Sequence, residues 1–494
     1  MFLRLRAFLG GGSNERQSTP AAAFPAGSRV PVEWRALCAQ LKDRTEALSL
    51  VELSTQSGQV SCHTSPDQEA TSWTLSPYEA RAALRTMLAG SGETAAFLVM
   101  LDEPFGESWA IVTEAIRAYA GSALVMASPR KGLTGRSLCQ RLVESGVTVA
   151  FHGQSPAVGG GLDHEPADGW PAAVVLRGFR PEHAPAAFRV RAIVTAFNEV
   201  DIVRPTVQYL IDQGIEVLLV DNWSEDGTVE EVEDLQGERL VIQKFPQHGR
   251  SQKFDLTELL RNVELQAACS GADWVIHHDA DEIRESPWPD LSLRDAVYTV
   301  HAMGWNAIDH TCLEFRPIDD HYPQGRNPRT YFQHFEFAKS KRVNAWRQPP
   351  GSTVDLQSSG GHRVDFPGVR IFPGNFFMRH FSIRSQRHGE QKVYRDRQPR
   401  YPAAEILKGW HYHYARMKPD QSFLRSPADL LRYDDETFHE MYLFERLARV
   451  GFHEAIPASF PGRILMELRR LGLIQPSTLR RLKRTQLAFS GRLK

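Results

Sequence analysis

Apolar and polar positions along this chain alternate in blocks, and the blocks predict short buried strands separated by amphipathic helices. In the first third, apolar runs at 95–101, 123–127, 147–151 and 173–176 alternate with helical patterns over 109–119 and 137–145, which predicts a small parallel α/β unit. A Gly- and Pro-rich stretch follows, with Gly159 to Gly161, Pro166, Gly169, Pro171 and then Pro181 to Ala187, and it reads as loop and linker. The alternation then restarts. Residues 191–197 form an apolar run that leads through Asn198 and Glu199 into a periodic helix over 203–211, stopped by Gly214. A second strand at 215–220 runs into the polar turn 221–228, and a third apolar run at 274–278 ends in Asp279-Ala280-Asp281-Glu282. From Phe423 onward the pattern reads as helical. Four regions result: a frayed N-terminus over 1–30, an accessory α/β domain over 31–180, a larger α/β domain over 188–415, and a helical basic region over 416–494.

The order strand, loop, helix, strand implies a right-handed βαβ unit, and ligands of open α/β sheets bind beyond the carboxyl ends of the strands. Asn198, Glu199, Asp221, Asp226 and the Asp279/Asp281 pair all fall at such ends. Successive strand side chains point to opposite faces, so Asp279 and Asp281 are expected to share a direction, with Ala280 leaving room between them. Two aligned carboxylates suit a hard divalent cation, Mn2+ or Mg2+, whose other positions are filled by phosphate oxygens and water.

The run Thr195-Ala196-Phe197-Asn198-Glu199, then Val220-Asp221-Asn222-Trp223-Ser224-Glu225-Asp226-Gly227-Thr228, then Asp279-Ala280-Asp281-Glu282 resembles glycosyltransferase family 2 enzymes of the GT-A fold in letters, order and spacing. The resemblance implies a GT-A type, mostly parallel catalytic sheet and a nucleotide-sugar donor, with UDP-sugars favoured. It also implies that Ala196, Phe197, Asn198, Glu199 and Asp221 hold the base and ribose. Asp226 would lie near the uracil end or shape the loop, and Asp279 and Asp281 would carry the cation bridging the donor diphosphate. The turn departs from the commonest family pattern, Asp-Asp-Gly-Ser-x-Asp-Gly, at Asn222, Trp223 and Glu225.

Farther along, Arg379, His380 and Arg384 precede a basic segment running through Arg387, His388, Lys392, Arg395 and Arg397, and Arg384 and Lys392 are the candidate donor-binding cations. Cations there suit the charge that develops on a departing nucleoside diphosphate. By its position after the core sheet, His380 matches the further metal or diphosphate ligand that GT-A enzymes often add, with His362 as the runner-up. Inversion at the anomeric carbon needs a carboxylate base near the acceptor hydroxyl, and Asp365 and Glu314 are the candidates.

At 494 residues the chain exceeds one hydrophobic core. Its 42% hydrophobic and 24% charged residues are ordinary for a globular protein, and a net charge of −1 gives no reason to expect nucleic acid as a partner. Five dispersed cysteines without a C-x-x-C pair favour a reducing compartment. No run approaches the ~20 apolar residues of a membrane span, which leads to the expectation of a cytoplasmic protein. The basic C-terminal helices give it a surface for peripheral membrane contact, suited to a glycan, lipid-linked or protein acceptor. His411 and His413 read as aromatic-strand residues. The loop 127–136 with the following 142–149 faintly resembles the Rossmann-like module of methylthioribose phosphate isomerases. Two rival readings stand beside the transferase. A nucleotidyltransferase needs a Gly-rich, basic first loop that Thr195 to Glu199 lacks. A non-catalytic nucleotide- or carbohydrate-binding module is disfavoured by the intact Asp279/Asp281 pair.

Overall fold

The computed structural model describes residues 50–56, 59–65, 72–75, 96–101, 107–118, 122–127, 132–154, 171–176, 178–338, 342–402, 417–418, 421–435 and 438. They form two sheets. The first contains β1 (Leu50–Gln56), β2 (Gln59–Ser65), β3 (Ser72–Leu75), β4 (Ala96–Leu101), β5 (Ser122–Ala127), β6 (Phe151–Gln154) and β7 (Pro171–Val175), with helices α1 (Glu107–Ala118) and α2 (Gly135–Glu144). Its strand order is β3-β2-β1-β4-β5-β7-β6. Only β1, β4 and β5 pair in parallel, while β2, β3, β6 and β7 pair antiparallel. The sheet is therefore mixed, not parallel as its sequence pattern predicted. Parallel neighbours need a crossover helix, and the sequence between β6 and β7 carries Gly159 to Gly161 and Pro166 in place of a helical pattern.

The second sheet carries the candidate site. Its strands are β8 (Val190–Ala196), β9 (Glu216–Asp221), β10 (Leu240–Lys244), β11 (Trp274–Asp279), β12 (Glu282–Glu285), β13 (Ala307–Phe315), β14 (His334–Phe337), β15 (Ala345–Arg347), β16 (Ile371–His380) and β17 (Leu431–Arg432). Strands β10, β9, β8 and β11 run parallel in that order. Beyond them β15, β13, β14 and β17 continue antiparallel, and β16 pairs parallel with β13 and antiparallel with β12. This is the GT-A-like α/β arrangement expected from the sequence.

The parallel strands read as continuous apolar runs because both faces are covered. Along β8, Val190, Ala192, Val194 and Ala196 face one cluster with α3 (Val203–Asp212) and α5 (Leu293–Ala302), whereas Ile193 faces the other, under α4 (Leu256–Cys269). Helix α3 buries Val203, Thr206, Val207 and Leu210, an i, i+3, i+4, i+7 stripe. The chain then turns at Gly214, whose φ of 76° belongs to the left-handed region that glycine enters without a Cβ penalty. Asp255 and Ser292 cap α4 and α5 by accepting from the backbone N–H of Glu258 and Asp295.

The two sheets meet at Trp288, whose indole N–H donates to the Ala150 carbonyl (2.8 Å) and whose ring stacks on Phe151 at 5.6 Å. A Cβ on Gly374 would come within 2.3 Å of the Phe151 ring, so glycine is required for this approach. The helical reading from Phe423 onward is corrected for the part the structure describes. Residues 421–434 form no α-helix and carry a single 3-10 turn at Pro427–Asp429 and the short β17, which adds to the sheet edge at β14, whereas Asp435 and Phe438 are helical, with the Phe438 N–H donating to the Asp434 carbonyl (2.9 Å). Pro427 cannot donate into a helix. The rest of that region, the basic helices included, lies outside the described residues, as do His411 and His413. Among the described residues no helix is long and apolar enough to cross a membrane.

Candidate active site

The carboxyl ends of β8, β9 and β11 converge on one crevice. On its β8/β9 side, two loops interlock through short-range polar contacts. The Asn198 N–H donates to Ser224 Oγ (2.9 Å), and Asn198 Oδ1 accepts from the Glu225 N–H (3.0 Å). Asp226 accepts from the Val200 and Thr228 N–H groups and from the Thr228 hydroxyl, closing the turn on itself. That is the loop-shaping alternative for Asp226. Asn198 (φ 54°) and Trp223 (φ 60°) both sit in the left-handed region. Strained backbone of this kind persists where surrounding structure dictates it, commonly at binding sites.

Asp221 is fully buried, and burial pushes its carboxyl above the usual range against the hydrogen bonds from Ser224 and the charge of Lys244. Ala196 and Phe197 are buried at the end of β8, and the Arg400 guanidinium lies 3.9 Å over the Phe197 ring while donating to Asn222 Oδ1 (2.7 Å). Arg400 Nε is buried with no hydrogen-bond partner. Burial and the neighbouring Arg397 and Arg250 push this guanidinium down to about 10.

On the β11 side, strand pairing sets the geometry. Asp279 is in register with Thr195 of the parallel β8, and the Thr195 hydroxyl donates to Asp279 Oδ1 (2.8 Å). The strand ends there, so Ala280 and Asp281 turn toward β12, and strand alternation does not carry the pair in one direction. Asp279 stays open to solvent while Asp281 is buried. Asp281 Oδ2 accepts from Lys392 Nζ (2.7 Å), and Oδ1 faces His380 Nε2 at 3.5 Å. The surrounding protein opposes ionisation of both carboxylates, by burial at Asp281 and by the crowded walls around the exposed Asp279. That opposition is outweighed at Asp279 chiefly by His277, and at Asp281 by Lys392 and His380, which hold Asp281 well below the carboxylate range.

Parallel pairing of β13 and β16 places Glu314 beside His380, and His380 Nδ1 meets Glu314 Oε1 at 2.8 Å. Burial works against the imidazolium, but Glu314 and Asp281 raise its pKa well above the ordinary value. In return, Glu314 is pulled down to about 2 by His380 against its own burial. His380 is thus a cation between two carboxylates, with both nitrogens engaged. Arg384 reaches Glu199 (2.6 Å) and Asp201 (2.6 and 2.8 Å), and Lys392 joins Glu199 (2.6 Å) to Asp281. The two basic residues read from the sequence as diphosphate ligands are, in the structure, partners of buried carboxylates.

The remaining candidates sit at the margin. Asp365 is exposed on an extended bridge to Asp355, and among the described residues its carboxylate forms no hydrogen bond or ion pair. His362 follows Gly361, whose carbonyl contacts His277 Nδ1 (3.2 Å). Its ring is open to solvent, yet the surrounding protein and the Arg342 charge lower its pKa. Sequence reading assigned no individual role to Thr195, Asp201, Asn222 or Arg400, and His388 entered only as one member of the basic segment. Asp201 repeats Glu199 at the i+2 position and His388 lies four residues after Arg384, which is a weak signal. Nothing in the sequence joins Arg400 to Phe197. Two groups among the described residues bring three possible ligand atoms within 4.8 Å of one another, Cys312 with Glu314 and His380, and Glu199 with Asp201 and His388.

Residues 192–288 match the model of the family described as Glycosyl transferase family 2. The match spans β8 to Trp288 and contains all three converging strand ends, which supports a glycosyltransferase-type function. It lies wholly in the second sheet's domain, so the resemblance of the N-terminal unit to methylthioribose phosphate isomerases is not shown. No curated protein matches the chain.

Proposed function

We propose that the chain transfers a sugar from a nucleotide-diphosphate donor, a UDP-sugar in preference, to an acceptor hydroxyl in one inverting displacement assisted by Mn2+ or Mg2+. The observation that carries this reading is Asp279, a solvent-facing carboxylate at the carboxyl end of a central parallel strand, oriented by Thr195 and flanked by the interlocked β8/β9 loops. An exposed hard oxygen suits such a cation, which needs only one or two protein carboxylates when donor phosphates complete its shell. When bound, the cation supplies charge neutralisation for the leaving diphosphate.

The chain's own groups do the rest. Ala196, Phe197, Asn198 and Asp221 line the base and ribose side, and the high carboxyl pKa of buried Asp221 suits a hydrogen bond to a polar ligand atom. Asp226 shapes that loop, while Glu199, Arg384 and Lys392 fix its edge from beneath. Asp281 and His380 set the field beside Asp279. Asp365 is favoured over Glu314 as the base, because Glu314 is committed to His380 and its low pKa makes it a poor proton acceptor near neutral pH. A glycan, lipid-linked or protein acceptor fits this chemistry. Cys139, Cys269 and Cys312 are free thiols, which supports a cytoplasmic setting.

A thermal-shift panel of nucleotide sugars with and without Mn2+ tests the proposal. A ligand held at one hundred times its Kd adds about 2.7 kcal/mol to apparent stability, so a UDP-sugar is expected to raise the Tm, and more with Mn2+ present. Asp279→Asn is expected to remove the Mn2+-dependent part of the shift and to lower transfer by about 100-fold, since one charge-stabilising contact carries that much. No shift from any nucleotide sugar at millimolar concentration, with or without metal, overturns the proposal.

A further inference from the structure

Resting on that reading, we infer that Lys392 is a built-in counter-cation that withdraws Asp281 from metal binding, so that the divalent ion is held on the protein side by Asp279. Both oxygens of Asp281 already face nitrogen atoms of basic side chains. Oδ2 accepts from the Lys392 ammonium at 2.7 Å, and Oδ1 lies 3.5 Å from the His380 ring. The side chains are shielded from water, with 5% of Lys392 and 9% of Asp281 exposed. Moving a metal ion onto Asp281 would bring it against the Lys392 ammonium and strip that buried cation of a carboxylate partner. The other carboxylate, Glu199, also serves Arg384 at 2.6 Å and Arg397 at 3.6 Å.

Lys392 projects from a π-helical turn, Gln391–Arg397. Such wide turns are rare and frequently lie at functional sites. Asp279 contrasts at every point. It is exposed, its Oδ1 accepts one hydrogen bond from Thr195, and among the described residues its Oδ2 accepts none. The D-x-D pair is thereby split into a ligand and a lysine-bound structural carboxylate, and metal binding without a donor is weak because one protein oxygen carries it.

Titration of Mn2+ alone against the full chain, read by the free-ion electron paramagnetic resonance signal, tests this without any nucleotide. Asp279→Asn is expected to weaken Mn2+ binding by at least about tenfold and Asp281→Asn by less than about threefold, while Lys392→Gln, which frees Asp281, strengthens it by about tenfold. If the wild type binds no measurable Mn2+, acquired binding in Lys392→Gln supports the inference and its absence overturns it. Where the wild type does bind, three results overturn it: Asp281→Asn weakening binding as much as Asp279→Asn, Asp279→Asn leaving binding intact, or folded Lys392→Gln binding no more tightly than the wild type. Circular dichroism establishes folding, and if Lys392→Gln does not fold, the contrast between the two isosteric Asp variants decides. A failed donor shift sinks the transferase reading, whereas a failed Mn2+ pattern sinks only the role of Lys392.

Discussion

The two sides of the crevice are built by different means. The β8/β9 side is a mesh of short-range loop bonds in which Asn198, Ser224, Asp226 and Thr228 bond mostly to backbone N–H groups of adjoining loops. The β11/β16 side is a lattice of buried charges whose partners are far apart in sequence, 185 residues for Arg384 and Glu199 and 193 for Lys392 and Glu199. The difference teaches which side tolerates change. A neutral loop bond is worth about 1 kcal/mol, but removing one partner of a buried ion pair leaves an uncompensated charge and costs several times more.

Breaking the charged side should give the largest effect. Arg384→Ala leaves Glu199 and Asp201 without their shared guanidinium and should lower unfolding free energy by about 3–5 kcal/mol in urea titrations. A loss below about 1 kcal/mol would show the lattice to be no stronger than the loop mesh.

The pH dependence sharpens the contrast next. His380 has its folded pKa raised, so its contribution is full below the unfolded value of about 6.5 and is lost as pH rises through the higher folded value. Glu314 is depressed to about 2, so its contribution is present above 4.5 and is lost as pH falls toward 2. His380→Gln should flatten the alkaline decline in stability, a slope of up to about 1.4 kcal/mol per pH unit. An unchanged slope in the variant would remove His380 from the lattice.

The smallest effect belongs to the loop-bonded side. Asn198→Gly keeps the left-handed backbone and loses only the bond to the Glu225 N–H, so stability should change by less than about 1 kcal/mol. A larger loss, measured by the same urea titrations, would make the two sides energetically alike.

Much of the architecture was legible because its signals are local. The apolar runs ending at Phe197, Val220 and His278 are strands wherever they sit, and helix α3 declares itself by its stripe and by Gly214. Pattern reading failed where pairing is not a local property. In the N-terminal unit the runs at β4, β5 and β7 were found, but β1, β2 and β3 and the antiparallel pairing of β5 with β7 were not, and the stretch from Phe423 was read as helix although Leu431 and Arg432 pair with β14 before the chain turns helical at Asp435. Asp221, Asp279 and Asp281 were identified by their positions after apolar runs. The burial of one of the Asp279/Asp281 pair and the exposure of the other were not.

The sequence by itself determined the strand ends and which polar groups stand at them, because periodicity and turn chemistry act over a few residues. Tertiary structure alone decided the charge state and company of those groups. That Lys392 and Arg384 stand against Glu199, Asp201 and Asp281, and that β13 brings Glu314 to the His380 ring, is written nowhere in the local sequence. Coulomb energy and desolvation depend on distances and burial that only the folded chain defines.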